Sequence, residues 1–259
     1  MERERELDGR VALITGAAQG IGLATAQLMA RAGAHIVALD LPGSQWGELQ
    51  QAVAASDRQL LCHEGDVADE AAWTALREAV LERFGRIDIL FNNAGISGPS
   101  CPIWDYPLDV FDTVMRVNCR GVFLGMKYGA ELMHGGSGSI INMSSVSGLG
   151  GGRSLLAYNA SKHAVIGMTK VGAVELAERN IRVNAVCPAM TDTAMMQSLE
   201  VGKSAAGITA LRGHFAAMIP LARYANPAEV GAAVLFLASD AASFITGTAL
   251  PVDGGLKAQ

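Results

Sequence analysis

Hydrophobic positions along the chain alternate between two patterns. Short, largely apolar runs are separated by longer stretches in which apolar residues recur every three or four positions. Val11–Ile14, Ile36–Leu39, Gln59–Cys62, Ile87–Phe91, Ser139–Asn142 and Ile181–Val186 are runs of the first kind, and Leu250–Val252 is a shorter seventh. Each is short and mostly apolar, which predicts strands buried in a sheet. The intervening stretches predict helices over Ile21–Ala32, Gln45–Ala55, Asp69–Arg83, Leu108–Met133, Tyr158–Ala177 and Pro227–Leu237. Asp69 is placed to cap its helix, and Pro227 suits a first helical turn. Buried strands alternating with helices predict an α/β fold: one doubly wound, Rossmann-type parallel sheet of about seven strands. No linker or repeat divides residues 1–259, so a single domain is expected. The stretch from Met190 to Met218 is the least regular, rich in Met and Ala, and is expected to form a lid over a substrate pocket.

Composition narrows the picture. Half of the 259 residues are hydrophobic and 30 are glycine, which suits a large core with closely packed helices. A net charge of −5 with no basic run argues against nucleic acid as a partner. No apolar stretch is long enough for a membrane span, and Met1–Glu6 alternates in charge sign, so it reads as a solvated leader and not a signal peptide. The four cysteines, Cys62, Cys101, Cys119 and Cys187, are scattered, with no metal-ligand spacing among them or the five histidines. Reduced thiols, a cytoplasmic location and no metal are the expectation.

Three local patterns carry chemistry. Thr15-Gly-Ala-Ala-Gln-Gly-Ile-Gly22 joins the first strand to the first helix. Gly16, Gly20 and Gly22 let the backbone turn tightly and approach a pyrophosphate at the helix N-terminus. Asp40 ends the second strand, where a carboxylate accepts hydrogen bonds from ribose hydroxyls and repels a 2′-phosphate, which favours NAD over NADP. Tyr158 and Lys162 form the chain's one Tyr-x-x-x-Lys pair and share a helix face. An ammonium there favours the phenolate, making the pair a candidate for acid–base work on an alcohol or ketone.

In these blocks, and in Asp66-Val67, Asn92-Asn-Ala-Gly95, Asn118, Ser144-Ser145 and Pro188–Thr193, the chain resembles the short-chain dehydrogenase/reductase family from about Leu7 to Gly255. The resemblance implies that Tyr158 is the general acid–base. It gives Lys162 the task of lowering the tyrosine pKa and binding the nicotinamide ribose. Ser145 would hydrogen-bond the substrate oxygen, with Ser144 a competitor that the spacing to Tyr158 disfavours. Asn118 would interrupt its helix and hold a water in a proton relay. The cofactor would lie along Gly16, Gln19, Gly20, Ile21 and Gly22, with Asp40 and Leu41 at the adenosine ribose. Asp66 would bind the adenine amine with Val67 beside the ring, Asn93, Ala94 and Gly95 would line the middle, and Pro188, Thr191 and Thr193 would meet the nicotinamide. Ala189 stands where the family usually has glycine, which puts the shape of that end in question.

Function follows as an expectation: an NAD-dependent alcohol dehydrogenase or ketone reductase. Leu149, Leu155, Met190, Met195, Met196 and Leu199, joined by Trp104, suggest a hydrophobic or cyclic small-molecule substrate, although Arg153 and Lys203 are nearby. The alternatives are an NADPH-dependent 3-oxoacyl-carrier-protein-type reductase and a non-enzymic nucleotide-sensing protein. Asp40 and the lack of Lys or Arg in the turn Met133–Ser139 disfavour the first; the intact Tyr158–Lys162 pair disfavours the second. Apolar residues on more than one face of the helices after the fourth strand and from Tyr158, with the family resemblance, predict a homotetramer. Small residues such as Gly121 and Gly125 offer a second account, close packing on the chain's own sheet.

Overall fold

A computed structural model describes residues 6–198 and 204–258. Most of the leader, and the pocket candidates Leu199 and Lys203, lie outside the described residues. Seven strands form one parallel sheet: β1 (Val11–Thr15), β2 (His35–Asp40), β3 (Leu60–Glu64), β4 (Ile89–Asn92), β5 (Gly138–Met143), β6 (Ile181–Pro188) and β7 (Ala249–Val252). Their spatial order is β3-β2-β1-β4-β5-β6-β7. Strand order therefore reverses between β1 and β4, and the crevice at such a reversal, beyond the carboxyl ends of the strands, is where a ligand fits.

Side chains alternate across the sheet because the strand period is two. Ala12 and Ile14 of β1 enter one apolar layer with α1 (Gly20–Arg31), α2 (Gly47–Ala55) and α9 (Pro227–Ala238). Val11 and Leu13 enter the opposite layer with α3 (Glu70–Phe84), α5 (Gly121–Leu132) and α6 (Leu156–Glu175). Asp69 caps α3 by accepting from Ala71 N, and Asn226 with Glu229 forms a capping box around Pro227 at the start of α9. On α5, a Cβ added at Gly125 would collide with the Asn92 amide of β4, so glycine there lets the helix lie close on the sheet. Asn92 in turn donates to Asn142 Oδ1 at 2.9 Å, and Asn142 donates to Thr169 Oγ1 at 3.0 Å, a buried polar chain tying β4, β5 and α6. No helix among the described residues is long and apolar enough to cross a membrane.

The helical stretch expected over Leu108–Met133 is interrupted around Asn118, as the family resemblance implied. α4 (Leu108–Met115) passes into a π-turn over Arg116–Arg120 before α5 begins, and Gly121 N donates to Arg116 O, five residues back. A π-turn holds one residue more than an α-turn. Here the extra residue swings Asn118 inward, where its amide bonds other elements. The irregular stretch after β6 contains α7 (Ala194–Gln197) and α8 (Ala205–Ala217). Arg212 of α8 pairs with Asp192 at 2.9 Å and lies over the Tyr224 ring, so the helix is tied to the body near the cleft.

Candidate active site

The loop after β1 is built for close approach. Gly16 and Gly20 take φ of +64° and +56°, a region that side chains disfavour. A Cβ on Gly22 would collide with the Gly16 carbonyl, so the third glycine packs behind the loop and does not line it. Thr15 Oγ1 accepts from the backbone of Asn93 and Ala94 at 2.9 and 3.0 Å, while Asn93 Nδ2 donates to Thr15 O at 2.9 Å. These bonds clamp the carboxyl ends of β1 and β4 together at the crevice. α1 starts at Gly20 with no side-chain cap and no acidic residue in its first turn. Its N-terminal dipole and free N–H groups therefore suit an anion.

A cleft of about 410 Å³ opens here. At one end Asp40 Oδ2 accepts from Ala18 N and Oδ1 from Leu41 N, both at 2.8 Å. Asp66 and Val67 lie on the same side, and Gln19, Gly20 and Ile21 lie along the helix start. Asn93, Ala94 and Gly95 form the middle, and Pro188, Thr191 and Thr193 form the wall beyond β6. The fit to a dinucleotide is good: a glycine cradle at an uncapped helix start, with a carboxylate at one end and a tyrosine–lysine pair at the other. Ala189 has no positive φ and its N–H donates to Val252 O at 3.2 Å, so alanine sits there without backbone strain. Among the described residues no group of His, Cys, Asp or Glu could hold a metal ion.

The other end holds Ser144, Ser145, Tyr158 and Lys162. The structure separates the two serines. Ser144 Oγ donates to Lys162 O at 2.9 Å and is committed to the backbone of α6. Ser145 caps the short turn Val146–Gly148, accepting from Ser147 N at 3.1 Å, and hydrogen-bonds Tyr158. Tyr158 stands in the first turn of α6, and Lys162 one turn later has its Nζ 5.5 Å from the centre of the tyrosine ring. Lys162 is only 3 % exposed and donates to Met143 O at 2.8 Å. Burial pulls its pKa down to about 8, against weaker upward pulls from Cys119 and Cys187.

The expected lowering of the Tyr158 pKa is not what the structure shows. Burial pushes the phenol up, and the Ser145 hydrogen bond opposes this without cancelling it. Burial is the largest cause, and Lys162 Nζ, 5.5 Å from the ring centre, is committed to Met143 O. Asn118, expected to interrupt its helix and hold a water, uses its side chain to join two elements. It is fully buried, with Oδ1 accepting from Ile96 N at 2.9 Å and Nδ2 donating to Ile96 O and Ser161 Oγ, each at 2.9 Å. Ser161 Oγ then donates to Tyr158 O at 2.8 Å. Asn118 thus ties the strand-β4 loop to α6 through its side chain, behind Gly95 and not on the cleft surface.

Sequence reasoning missed several cleft residues: Ile96, Arg116, Val117 and Met143. Arg116 pairs with Asp66 at 2.8 Å across fifty positions of chain, a contact that no local pattern encodes. Of the expected substrate residues, Met195 and Met196 line the cleft, whereas Trp104 stands 81 % exposed away from it.

Comparison with known proteins agrees with this arrangement. A family model described as enoyl-(acyl carrier protein) reductase matches residues 16–257. Levodione reductase of Leifsonia aquatica is 38 % identical over 252 residues, covering 96 % of this chain and 94 % of that protein. The trans-4-hydroxycyclohexanecarboxylate dehydrogenase of Sinomonas cyclohexanicum is 40 % identical over 253 residues, covering 95 % and 92 %. The crystal structure of levodione reductase superposes with a TM-score of 0.91, covering 97 % of this chain and 99 % of that one at 38 % identity. That of carveol dehydrogenase from Mycobacterium avium in complex with NAD gives 0.90, covering 98 % and 99 % at 32 % identity. With a family model over residues 16–257 and relatives 38–40 % identical over nearly the whole length, the chain belongs to the short-chain dehydrogenase/reductase family of oxidoreductases.

Proposed function

We propose that the protein is an NAD-dependent dehydrogenase interconverting a hydrophobic, cyclic secondary alcohol and its ketone. The observation that carries this reading is the cleft itself, with Asp40 at one end and Ser145, Tyr158 and Lys162 at the other. The relatives named above act on ring-bearing alcohols and ketones or carry NAD, which supports the same reading. When bound, the nicotinamide ring supplies the hydride acceptor for oxidation and the donor for reduction.

The chain's own residues do the rest. Ser145 Oγ donates a hydrogen bond to the substrate oxygen and orients it toward Tyr158. In oxidation the Tyr158 oxygen takes the hydroxyl proton as the carbon loses its hydride; in reduction it returns that proton to the nascent alkoxide. The lysine ammonium near the ring stabilises the phenolate form. Asn118 and Ser161 hold the backbone at Ile96 and Tyr158 in fixed relation, so the proton donor keeps its place against the cleft wall. Ile96, Met195 and Met196 shed water from the substrate end.

Asp40 also weighs against the carrier-protein reductase reading, because its carboxylate opposes a 2′-phosphate. A panel of alicyclic secondary alcohols with NAD⁺ or NADP⁺, followed at the nicotinamide absorbance, tests the proposal. Turnover of cyclic alcohols with NAD⁺ and far less with NADP⁺ is expected; a preference for NADP⁺ or for acyl thioesters refutes it.

A cytoplasmic homotetramer is part of the same reading. All four cysteines are free. Phe123 on α5, and Val171 and Val174 on α6, leave 53 %, 56 % and 77 % of their surface uncovered by the chain itself. Apolar helix faces of this kind suit burial across a two-fold axis. Light scattering is expected to give about four times the 27.0 kDa chain mass, and a monomer mass would rule the assembly out.

A further inference from the structure

A second cavity lies at the amino ends of the strands, across the sheet from the dinucleotide cleft. It encloses about 580 Å³, within the range of small-molecule sites. Arg10 stands just before β1, Asp88 just before β4, and Arg182 is the second residue of β6. Arg86 and the loop that begins at Asp240 complete the charged wall. Three guanidiniums therefore meet in one cavity with two carboxylates.

Both carboxylates already have partners. Arg10 Nη2 donates to Asp240 Oδ2 at 2.6 Å. Arg86 Nε donates to Asp88 Oδ1 at 2.9 Å, and Asp88 Oδ2 accepts from Val11 N at 2.8 Å. Arg182 has no carboxylate partner among the described residues. Its Nη2 donates to Ser239 O at 3.1 Å and its Nη1 to Ile245 O at 3.4 Å, which holds the planar group in place without neutralising it. Burial pulls the Arg182 pKa down; the Asp240 charge opposes this and the Arg10 charge adds to it. A half-buried cation with no paired counter-charge, facing open space, is an incomplete arrangement that an anion would complete. A guanidinium carries five N–H donors, so most of those on Arg10 and Arg86 remain unused. The hydroxyls of Ser137 and Ser243 on the same wall bond nothing else among the described residues.

The donors select the kind of anion. A carboxylate is planar, carries one charge and satisfies one guanidinium fork. A phosphoryl group carries a charge of about −1.5 to −2 at neutral pH and presents three oxygens in different directions, so it can meet guanidiniums on separate walls. Three arginines against two aspartates leave a net positive charge, which also favours an anion over a neutral polyol.

We propose that this cavity is a second ligand site, which takes the phosphoryl group of a small phosphomonoester or of free phosphate on Arg10, Arg86 and Arg182. It shares no lining residue with the dinucleotide cleft, so it is independent of the dehydrogenase reading.

Isothermal titration of the full-length protein with inorganic phosphate, glycerol 3-phosphate and glycerol tests this. An anion also suits the glycine cradle, so the deciding readout is the change made by substitutions in the second cavity. Wild type is expected to bind inorganic phosphate with a Kd of about 1 mM, and glycerol not at all. Glycerol 3-phosphate binding more than about 5-fold tighter than phosphate identifies an ester as the ligand, and equal affinity identifies free phosphate. Arg86→Gln is expected to weaken phosphate binding by about 10-fold. Asp240→Asn should tighten it by about 3-fold, because it removes a competing carboxylate and frees the Arg10 fork. A damaged fold would not produce that gain, and the Asp240 side chain is 82 % exposed, so the substitution leaves packing intact. Three results overturn the proposal: no phosphate binding by wild type, equal binding of glycerol and glycerol 3-phosphate, or phosphate binding that neither substitution alters, which would place the anion in the glycine cradle alone.

Discussion

At the catalytic end of the cleft, Lys162, Asn118 and Ser144 are all buried, and their side chains are bonded to backbone carbonyls, backbone N–H groups or another buried side chain. At the adenosine end, Asp40, Asp66 and Arg116 are partly open to solvent, and their partners are surface groups or loop backbone. The same ion–dipole chemistry therefore has different consequences at the two ends. A buried ammonium has lost its hydration and is held at a cost, so its state responds strongly to any change around it. A solvent-facing ion pair contributes less than about 1 kcal/mol and can be altered without disturbing the fold. On the proposed function, the end holding Tyr158 is strict, and the end holding Asp40 is where cofactor choice can be tuned.

Tyr158→Phe should produce the largest effect. It removes the hydroxyl and keeps the ring over Lys162, so turnover is expected to fall at least ~10²-fold while NADH affinity stays nearly constant. No single substitution at the adenosine end should match that loss. Near-normal turnover of Tyr158→Phe in a steady-state assay would erase the contrast.

Lys162→Met asks how costly the buried charge is. The gap between the ordinary lysine value of 10.5 and about 8 corresponds to about 3 kcal/mol against the ammonium at neutral pH. Because the folded pKa lies below the unfolded one, the unfolded chain holds more protons between pH 8 and 10.5, and wild-type stability rises through that window. Replacing the ammonium by a thioether leaves Met143 O without its donor, which offsets part of the gain. The variant is expected to be about 1–2 kcal/mol more stable than wild type at pH 7, with the advantage gone above pH 10, and almost inactive. Denaturant melts at both pH values check this; a variant less stable at pH 7 contradicts the strict-end picture.

Asp40→Ala probes the tunable end. The NAD over NADP preference in kcat/KM should narrow by roughly 10-fold, and more at low salt, because the repulsion it removes is only partly shielded by protein. Folding should change little, although Ala18 N and Leu41 N lose an acceptor. An unchanged preference would mean that cofactor choice resides elsewhere on the cleft.

The sequence was most legible where one residue type repeats at a fixed spacing. The seven apolar runs mark the strands that form the sheet, and the glycine spacing after β1 marks the loop at the crevice. Edges shifted by a residue or two, as at β4, which begins at Ile89 because Ile87 N bonds Leu132 O instead. Less legible was anything set by a contact between distant segments. The π-turn cannot be read from the helical period around it, since it depends on Asn118 meeting Ile96 and Ser161. The Arg116–Asp66 pair and the direction of the Tyr158 pKa are decided by burial and by partners far along the chain, which spacing does not report.

The π-turn has one more consequence, and it concerns how the gene can change. A π-turn is a helix carrying one surplus residue, and the helices on either side keep the phase they would have without it. Deleting a single codon within 116–120 therefore heals the break and returns one continuous helix. Gly121, Gly125 and Gly129 still face Val67, Asn92 and Leu90, so the packing that depends on them survives. What disappears is the inward swing of Asn118 and with it the tie to Ile96 and Ser161. Elsewhere in α4 or α5 the same deletion turns every downstream side chain by about 100° and misplaces the helix against the sheet. In this helix, then, the packing on the sheet and the Asn118 tie are separable by one residue of length.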